Sequence, residues 1–188
     1  MTAASGVAGS QVQQPAKLEV RLAGAHERSA LSRMLELYQH DLSDIWDQEL
    51  DAGGQYGYEL DRYWQGEGCR PFVALVGGHY AGFALVDHSV KVGNFGCWMD
   101  QFFVVRKYRR SGVGSALATE LFAALPGHWE VGQMSANVAA QAFWRRVIGS
   151  YTGGQYTEHK LTGGGWQGVV QCFQSAPVRS PFHSSGSP

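Results

Sequence analysis

The 188-residue chain is poor in what would commit it to a metal, a membrane or a nucleic acid. Its three cysteines, Cys69, Cys97 and Cys172, lie far apart, at spacings that match neither a zinc-ligand pair nor a redox Cys-x-x-Cys. No metal is expected, and free thiols in a reducing compartment are the simplest reading. No apolar run approaches the roughly 20 residues of a membrane span. The amino terminus lacks the basic-then-apolar layout of a signal peptide, so no membrane and a cytoplasmic location are expected. Lysine plus arginine number 15 against 16 acidic residues, a net charge of −1. That balance offers no broad basic field, and no nucleic acid is expected as partner. Two phosphate-binding signatures are missing as well. There is no Gly-x-x-x-x-Gly-Lys-Ser/Thr run, and a dinucleotide fingerprint begun at Gly112 fails because position 117 is Leu.

What is present favours one packed α/β domain. The chain is 44% hydrophobic and 12% aromatic, ample for a single core and short for two. Residues 1–16 are rich in Ala, Gly, Ser and Gln, and residues 175–188 in Ser and Pro, so both are expected as disordered tails around a domain over 17–174. Alternation predicts a strand over Lys17–Leu22, and helical spacing a helix from His26 to about His40. Pro71–Val76 and Tyr80–Val86 read as strands joined at Gly77-Gly78, a strong hairpin signal. A connecting turn (Asp87–Gly96) leads to a strand ending near Val105 and a helix to about Leu125, which Pro126-Gly127 stops. A strand over Trp129–Met134, a helix over Ala139–Ile148 and strands near Tyr156–Glu158 and Gly168–Phe173 complete the order.

The organising stretch is Val104 to Leu117. An apolar strand runs into a basic turn of Arg106, Lys107, Arg109 and Arg110, and Gly112 and Gly114 open the following helix. A helix start leaves several backbone N–H groups without intrahelical partners, at the positive end of the dipole. Glycines there let a ligand approach the backbone, so the junction suits a phosphate.

The pattern Arg109-x-x-Gly112-x-Gly114 resembles the pyrophosphate loop of the GNAT superfamily of acyl-CoA-dependent N-acyltransferases. A second block, Asn137-x-x-Ala140-x-x-Phe143-Trp144, is similar to that family's later motif and lies at the right distance downstream. A narrower likeness, carried by Tyr56-x-Tyr58-x-Leu60-x-x-Tyr63-Trp64 and Arg70-Pro71-Phe72, is to a bacterial group of acetyltransferases without a secure substrate. The resemblance spans about Leu18 to Phe173. It implies a GNAT fold: a mixed, mostly antiparallel twisted sheet flanked by helices and splayed at the acyl-CoA site.

The resemblance further implies transfer of an acetyl or other acyl group from acetyl-CoA to a primary amine, on a small molecule or a peptide, by direct attack in a ternary complex. The enzyme would be a monomer or homodimer. The backbone at Val104 and Val105 would polarise the acyl oxygen, the Val105 amide pointing into the gap. Arg106, Arg109, Arg110, Ser111, Gly112, Val113, Gly114 and Ser115 would hold the pyrophosphate, and Asn137, Ala142 and Phe143 would line the pantetheine arm; Asn137 fits a helix N-cap equally well. The segment from Asp41 to Gly68 mixes carboxylates with aromatics, and its place in the family implies an acceptor wall. Trp46, Tyr56 and Asp100 are the expected acceptor contacts, in surroundings suited to a cationic amine. Asp100 is the expected base, with Glu130 and Glu158 as other carboxylates to weigh. Where relatives carry Phe-Tyr this chain has Phe143-Trp144, and indole supplies no acidic proton. Tyr151, read as lying just beyond the helix, is the expected acid. The alternative is a GNAT module that binds acyl-CoA without catalysis, as a sensor or subunit.

Overall fold

The structure, a computed structural model, describes residues 17–66, 68–163 and 165–176. The tail expected over 1–16, and the one expected over 175–188 from residue 177 on, lie outside them. Seven strands form one sheet: β1 (Leu18–Leu22), β2 (Arg70–Val76), β3 (His79–Asp87), β4 (Cys97–Val104), β5 (Gly127–Met134), β6 (Tyr156–Gly163) and β7 (Trp166–Ser175). Their order is β1-β2-β3-β4-β5-β7-β6, and every neighbouring pair is antiparallel except β4 with β5. The helices are α1 (Arg28–Trp46), α2 (Arg62–Gln65), α3 (Val113–Ala124) and α4 (Val138–Thr152).

The central strands are buried on both faces, which is why β2 and β3 read as unbroken apolar runs rather than alternating ones. Phe72, Ala74, Ala84, Val86 and Met99 face α3 and α4, where they meet Leu117, Leu121, Trp144 and Ile148. Val73, Leu75, Phe83, Leu85 and Phe103 face α1, against Leu31, Met34 and Leu35. Period-two alternation divides each strand between the two half-cores.

Three boundaries differ from the sequence reading. Helix α1 runs on to Trp46 rather than ending near His40, because Leu42 and Ile45 prolong the apolar stripe of Leu35 and Tyr38. Asp47 closes it in the left-handed region, φ 50°. Helix α4 continues through Tyr151 to Thr152, and Gly153 caps it at φ 62°. Ser175, expected to open the tail, is the buried last residue of β7.

The 88–96 connection is held by a buried carboxylate. Glu130 is fully buried on β5 and accepts from the amides of Lys91 (2.6 Å), Val92 (3.0 Å) and Gly93 (2.6 Å). Burial pushes its carboxyl up, but these amides and His128 outweigh that and hold it below the usual carboxylate value. A carboxylate lowered in the folded state contributes stability that is full above its unfolded value of about 4.3 and is lost as pH falls through the lowered one. Glu130→Gln should therefore destabilise the protein by about 2 kcal/mol at pH 7. The deficit should shrink as pH falls below about 4, both readable by urea unfolding across that range.

Candidate functional site

The site begins with a seam that stops. β4 and β5 pair only at Cys97 with Trp129, Trp98 with Glu130 and Met99 with Val131. Beyond these, β4 stays paired to β3 as far as Val104, and β5 to β7 as far as Met134. Asp100 is the extra residue of a bulge, since Leu85 faces Gln101 while Val86 faces Met99. A bulge bends its strand and sharpens the twist, and this one falls where β4 leaves β5. On β5, Trp98 and Trp166 occupy the place a β-carbon of Gly132 would take, the Trp166 ring 2.8 Å from it. No side chain larger than hydrogen fits there, so two indoles lie across the backbone at the mouth of the gap.

The resulting cleft is lined by Tyr38, Leu42 and Trp46 of α1, Met99 to Phe102 of β4, Val131 to Met134 of β5, and Asn137, Ala140 and Trp144 of α4. Its strand edges carry unpaired backbone. The Val105 amide donates to Ala81 O (2.8 Å), so alternation turns the amides of Phe103 and Gln101 toward β3 and those of Val104 and Phe102 toward the gap. The expectation that Val105 aims its amide into the gap is thus corrected. Val104 occupies that position, and its own carbonyl accepts from Arg109 Nε (2.8 Å).

One end of β4 leads directly into the basic glycine loop. Arg110 and Gly112 adopt left-handed conformations, φ 64° and 88°, and Gly112 caps α3. The amides of Arg110 through Ser115 find no acceptor among the described residues. Successive free amides around left-handed residues form an anion-binding concavity. Gly114 lets α3 approach closely: a β-carbon there would meet the Phe143 ring at 3.3 Å and Val104 at 3.4 Å. Ser111 donates to Tyr108 O (2.7 Å), and Val113 is buried in the core. Arg106 and Arg109 are partly neutralised by Asp41 of α1, the Arg106 contact measuring 3.1 Å. Burial pushes Asp41 up, yet the two guanidinia hold it below its usual value.

On the α1 side Asp100 is heavily bonded. Its Oδ2 accepts from Tyr58 (2.6 Å), Tyr63 (2.6 Å) and Arg62 (2.9 Å), and Arg62 also reaches buried Asp87 at 3.1 Å. Burial and the Asp100 charge push the Tyr58 and Tyr63 phenols up, and burial with Asp100 does the same to Tyr38. All three stay protonated.

Of the expected site residues, Trp46, Asp100 and Asn137 line the cleft, Phe143 packs on Phe102 beside it, Val104 and the loop follow where β4 ends, and others lie apart. Asn137 Oδ1 caps α4 through the Ala140 amide (3.0 Å) while the residue lines the cleft, so the capping and lining roles coexist. Ala142 is on the exposed face of α4. Tyr56 lies against α1, its hydroxyl 3.3 Å from His40 Nδ1; Tyr58 is the tyrosine that reaches Asp100. Tyr151 belongs to the last turn of α4, packed on Phe122 and Phe173 and 3.2 Å from Ser175. Ser175 pairs with Gly127, the start of β5, whereas the cleft opens at the strand's other end. Tyr151 is therefore a core tyrosine, far from any proton transfer in the cleft. Glu158 is bound bidentately by Arg145, and Glu130 by the 88–96 loop.

Sequence reading gave no individual role to Asp41, Tyr58 or Arg62, which lie in the segment expected as an acceptor wall, and passed over Gln101 and Gln133. Only Tyr58-x-x-x-Arg62 carried a signal, a four-residue spacing beside aromatics. Among the described residues His128, Glu130 and Cys172 bring ligand-type atoms within 4.8 Å of one another. Glu130 already serves three amides, so that cluster is structural. No helix among the described residues is long and apolar enough to cross a membrane.

Comparison with known proteins agrees with this geometry. Residues 31–149 match the family model described as Acetyltransferase (GNAT) family. No curated protein matches the chain. An acetyltransferase from Thermus thermophilus shares the fold with a TM-score of 0.61 at 15% identity, over 84% of this chain and 96% of that one. The ribosomal-protein-S18-alanine N-acetyltransferase from Escherichia coli gives 0.56 at 15% identity, over 89% and 100%. The PaiA N-acetyltransferase from Thermoplasma acidophilum, in complex with coenzyme A, gives 0.57 at 11% identity, over 84% and 99%.

The Arg62 clamp yields a test independent of any ligand. Arg62→Met would leave buried Asp87 without its cation; because the guanidinium is half exposed, the loss should be about 2 kcal/mol rather than the full cost of a buried pair. Urea unfolding should show it, and Tyr63→Phe, which removes one of three donors to Asp100, should cost about 1 kcal/mol.

Proposed function

Because the chain belongs to the GNAT acetyltransferase family, we propose that it is an N-acetyltransferase moving an acetyl group from acetyl-CoA to a primary amine by direct attack within a ternary complex. The observation that carries this is the cleft itself. The β4–β5 seam ends at Met99 and Val131, and its β4 wall leads to the six unpartnered amides of Arg110–Ser115. An extended arm fits between the separated strands, and a pyrophosphate fits the amides at the arm's far end.

In this reading the Val104 amide polarises the thioester carbonyl as its oxygen gains charge. The amine enters from the α1 side, between Trp46 and Asp100. At pH 7 an alkylammonium of pKa about 10.4 is neutral in only ~10⁻³ of molecules, so freeing its lone pair costs about 4–5 kcal/mol. Asp100 Oδ2 is saturated by its three donors, which leaves Oδ1 to take the amine proton, directly or through water. The nitrogen then attacks the carbonyl carbon and gives up a second proton to water, and the C–S bond breaks as the tetrahedral intermediate collapses. The departing thiolate needs a proton. A thiol titrates near about 8.5, so phenols held above their ordinary 10 would donate to it uphill. The proton lost by the amine reaches sulfur through solvent instead. The exposed Asp44, Asp47 and Glu49 lie around the acceptor end of α1 and favour a cationic acceptor. The three cysteines, free in the structure, fit a reducing, cytoplasmic setting.

Release of thiol from acetyl-CoA across a panel of amines tests the reading. Turnover with at least one amine is expected; tight CoA binding without turnover would make the chain a non-catalytic acyl-CoA module. Gly112→Val, which forces a β-branched side chain into a left-handed position, should weaken CoA binding at least tenfold in calorimetry while the fold survives. Asp100→Asn should lower kcat/KM by on the order of 10²-fold with CoA affinity kept.

A further inference from the structure

Three buried polar atoms without a partner belong to residues lining the cleft: Gln101 Oε1, Gln133 Oε1 and Trp166 Nε1. Gln133 differs from the other two because its orientation is fixed from behind. Its Nε2 donates to Val131 O (2.9 Å) and to Gln171 Oε1 (2.8 Å). Gln171, fully buried, donates in turn to Glu158 Oε2 (2.9 Å), and Glu158 is gripped by Arg145 through two bonds of 2.8 Å. The chain of bonds runs from an ion pair near the surface across β6 and β7 to β5. Reversing the Gln133 amide would set its oxygen against two other oxygens. Oε1 is therefore the free acceptor, on a residue only 3% exposed. Such orphans are rare in folded proteins and are expected where a ligand supplies the missing group.

The surroundings define that group. Gln133 shares its sheet face with Val131, which packs toward α3 and α4, whereas Tyr38 of the acceptor wall belongs to the α1 side. A buried neutral carbonyl with no carboxylate to assist it suits a neutral N–H donor rather than an ammonium. Asn137, also in the cleft, spends its Oδ1 on the α4 cap, and its Nδ2 remains a donor. One free acceptor and one free donor match the N–H and C=O of a secondary amide.

Resting on the acyl-CoA reading above, we propose that Gln133 Oε1 accepts a hydrogen bond from a secondary amide of the pantetheine arm. Gln133 is then a positioning residue for the arm, distinct from the loop that holds the phosphates and from the wall that meets the amine. The glutamine relay behind it fixes which atom of the amide is left free.

Calorimetry with four probes tests this: CoA, 3′-phospho-ADP (which lacks the arm), and two CoA analogues in which one or the other arm amide is replaced by an ester. Wild-type protein should bind one ester analogue about tenfold more weakly than CoA. Gln133→Met should bind CoA about tenfold more weakly, bind 3′-phospho-ADP as wild type does, and no longer distinguish CoA from that ester. Its KM for acetyl-CoA should rise while KM for the amine stays put. Equal loss toward 3′-phospho-ADP, or unchanged CoA affinity, would overturn the assignment. Wild-type protein that binds both esters as tightly as CoA would overturn it without any variant. Failure of wild-type protein to bind CoA at all would instead sink the acyltransferase reading beneath it.

Discussion

The cleft depends on the three-residue parallel seam between β4 and β5. Two antiparallel half-sheets, β1 to β4 and β5 to β7, are each fully paired along their own length. Among the described residues the seam is their only strand-to-strand pairing, and it ends after Met99 and Val131. A longer seam would close the cleft. The stopping point is enforced from both sides, by the bulge at Asp100 and by the indoles over Gly132. The aromatic pair Phe143-Trp144 then holds the opened β4 from the α4 side. Phe102 packs on Trp144 with ring centroids 4.8 Å apart and on Phe143 at 5.8 Å. Trp144 is 5% exposed and belongs to the core. Its missing hydroxyl costs that packing nothing.

The charges of the site are arranged as opposed pairs rather than as a uniform field. Asp41 sits between two loop arginines, and Arg62 between Asp87 and Asp100. In the absence of an anionic ligand, four like charges on one loop would repel. A carboxylate from α1 offsets part of that repulsion and ties the loop to the helix that carries Trp46. The proposed phosphate site is left open by this pairing, because the backbone amides from Arg110 to Ser115 are not engaged by Asp41. Those dipoles are fixed in place and survive salt better than exposed arginine side chains do.

The order of elements was legible in the sequence because each strand and helix announces itself locally: Gly77-Gly78 for the hairpin, Pro126-Gly127 for a helix stop, the apolar stripe of α1. So was the loop, because glycines at a strand-to-helix junction have few other uses. The surroundings of Asp100 were much less so. Tyr56 and Tyr58 are indistinguishable by composition, and only the path of the 47–61 segment decides which one reaches Asp100. Tyr151 looked free because Ile148 seemed to end α4, yet Tyr151 packs on Phe122 and Phe173, contacts formed only after the sheet assembles. Glutamines at 101 and 133 carry no charge and no motif. Their burial follows from strand register, and register is a property of pairs of strands rather than of either one.

Magnitudes indicate where a transferase built this way, as proposed, would find its rate. Releasing a proton from the amine costs about 4–5 kcal/mol, and a single carboxylate acting through Oδ1 offsets only a part of it. Holding amine and thioester in line is worth about 7–11 kcal/mol in favourable cases. The described residues supply far more for the second task than for the first. The seam, the bulge, the indoles over Gly132 and the Arg62 clamp all fix geometry. The phenols of Tyr38, Tyr58 and Tyr63 are all pushed toward holding their protons. A site with one saturated carboxylate and no available side-chain acid is organised around placement and backbone polarisation. In the proposed reaction its proton traffic would pass through water in the cleft, and Trp144 in place of tyrosine is consistent with that division of labour.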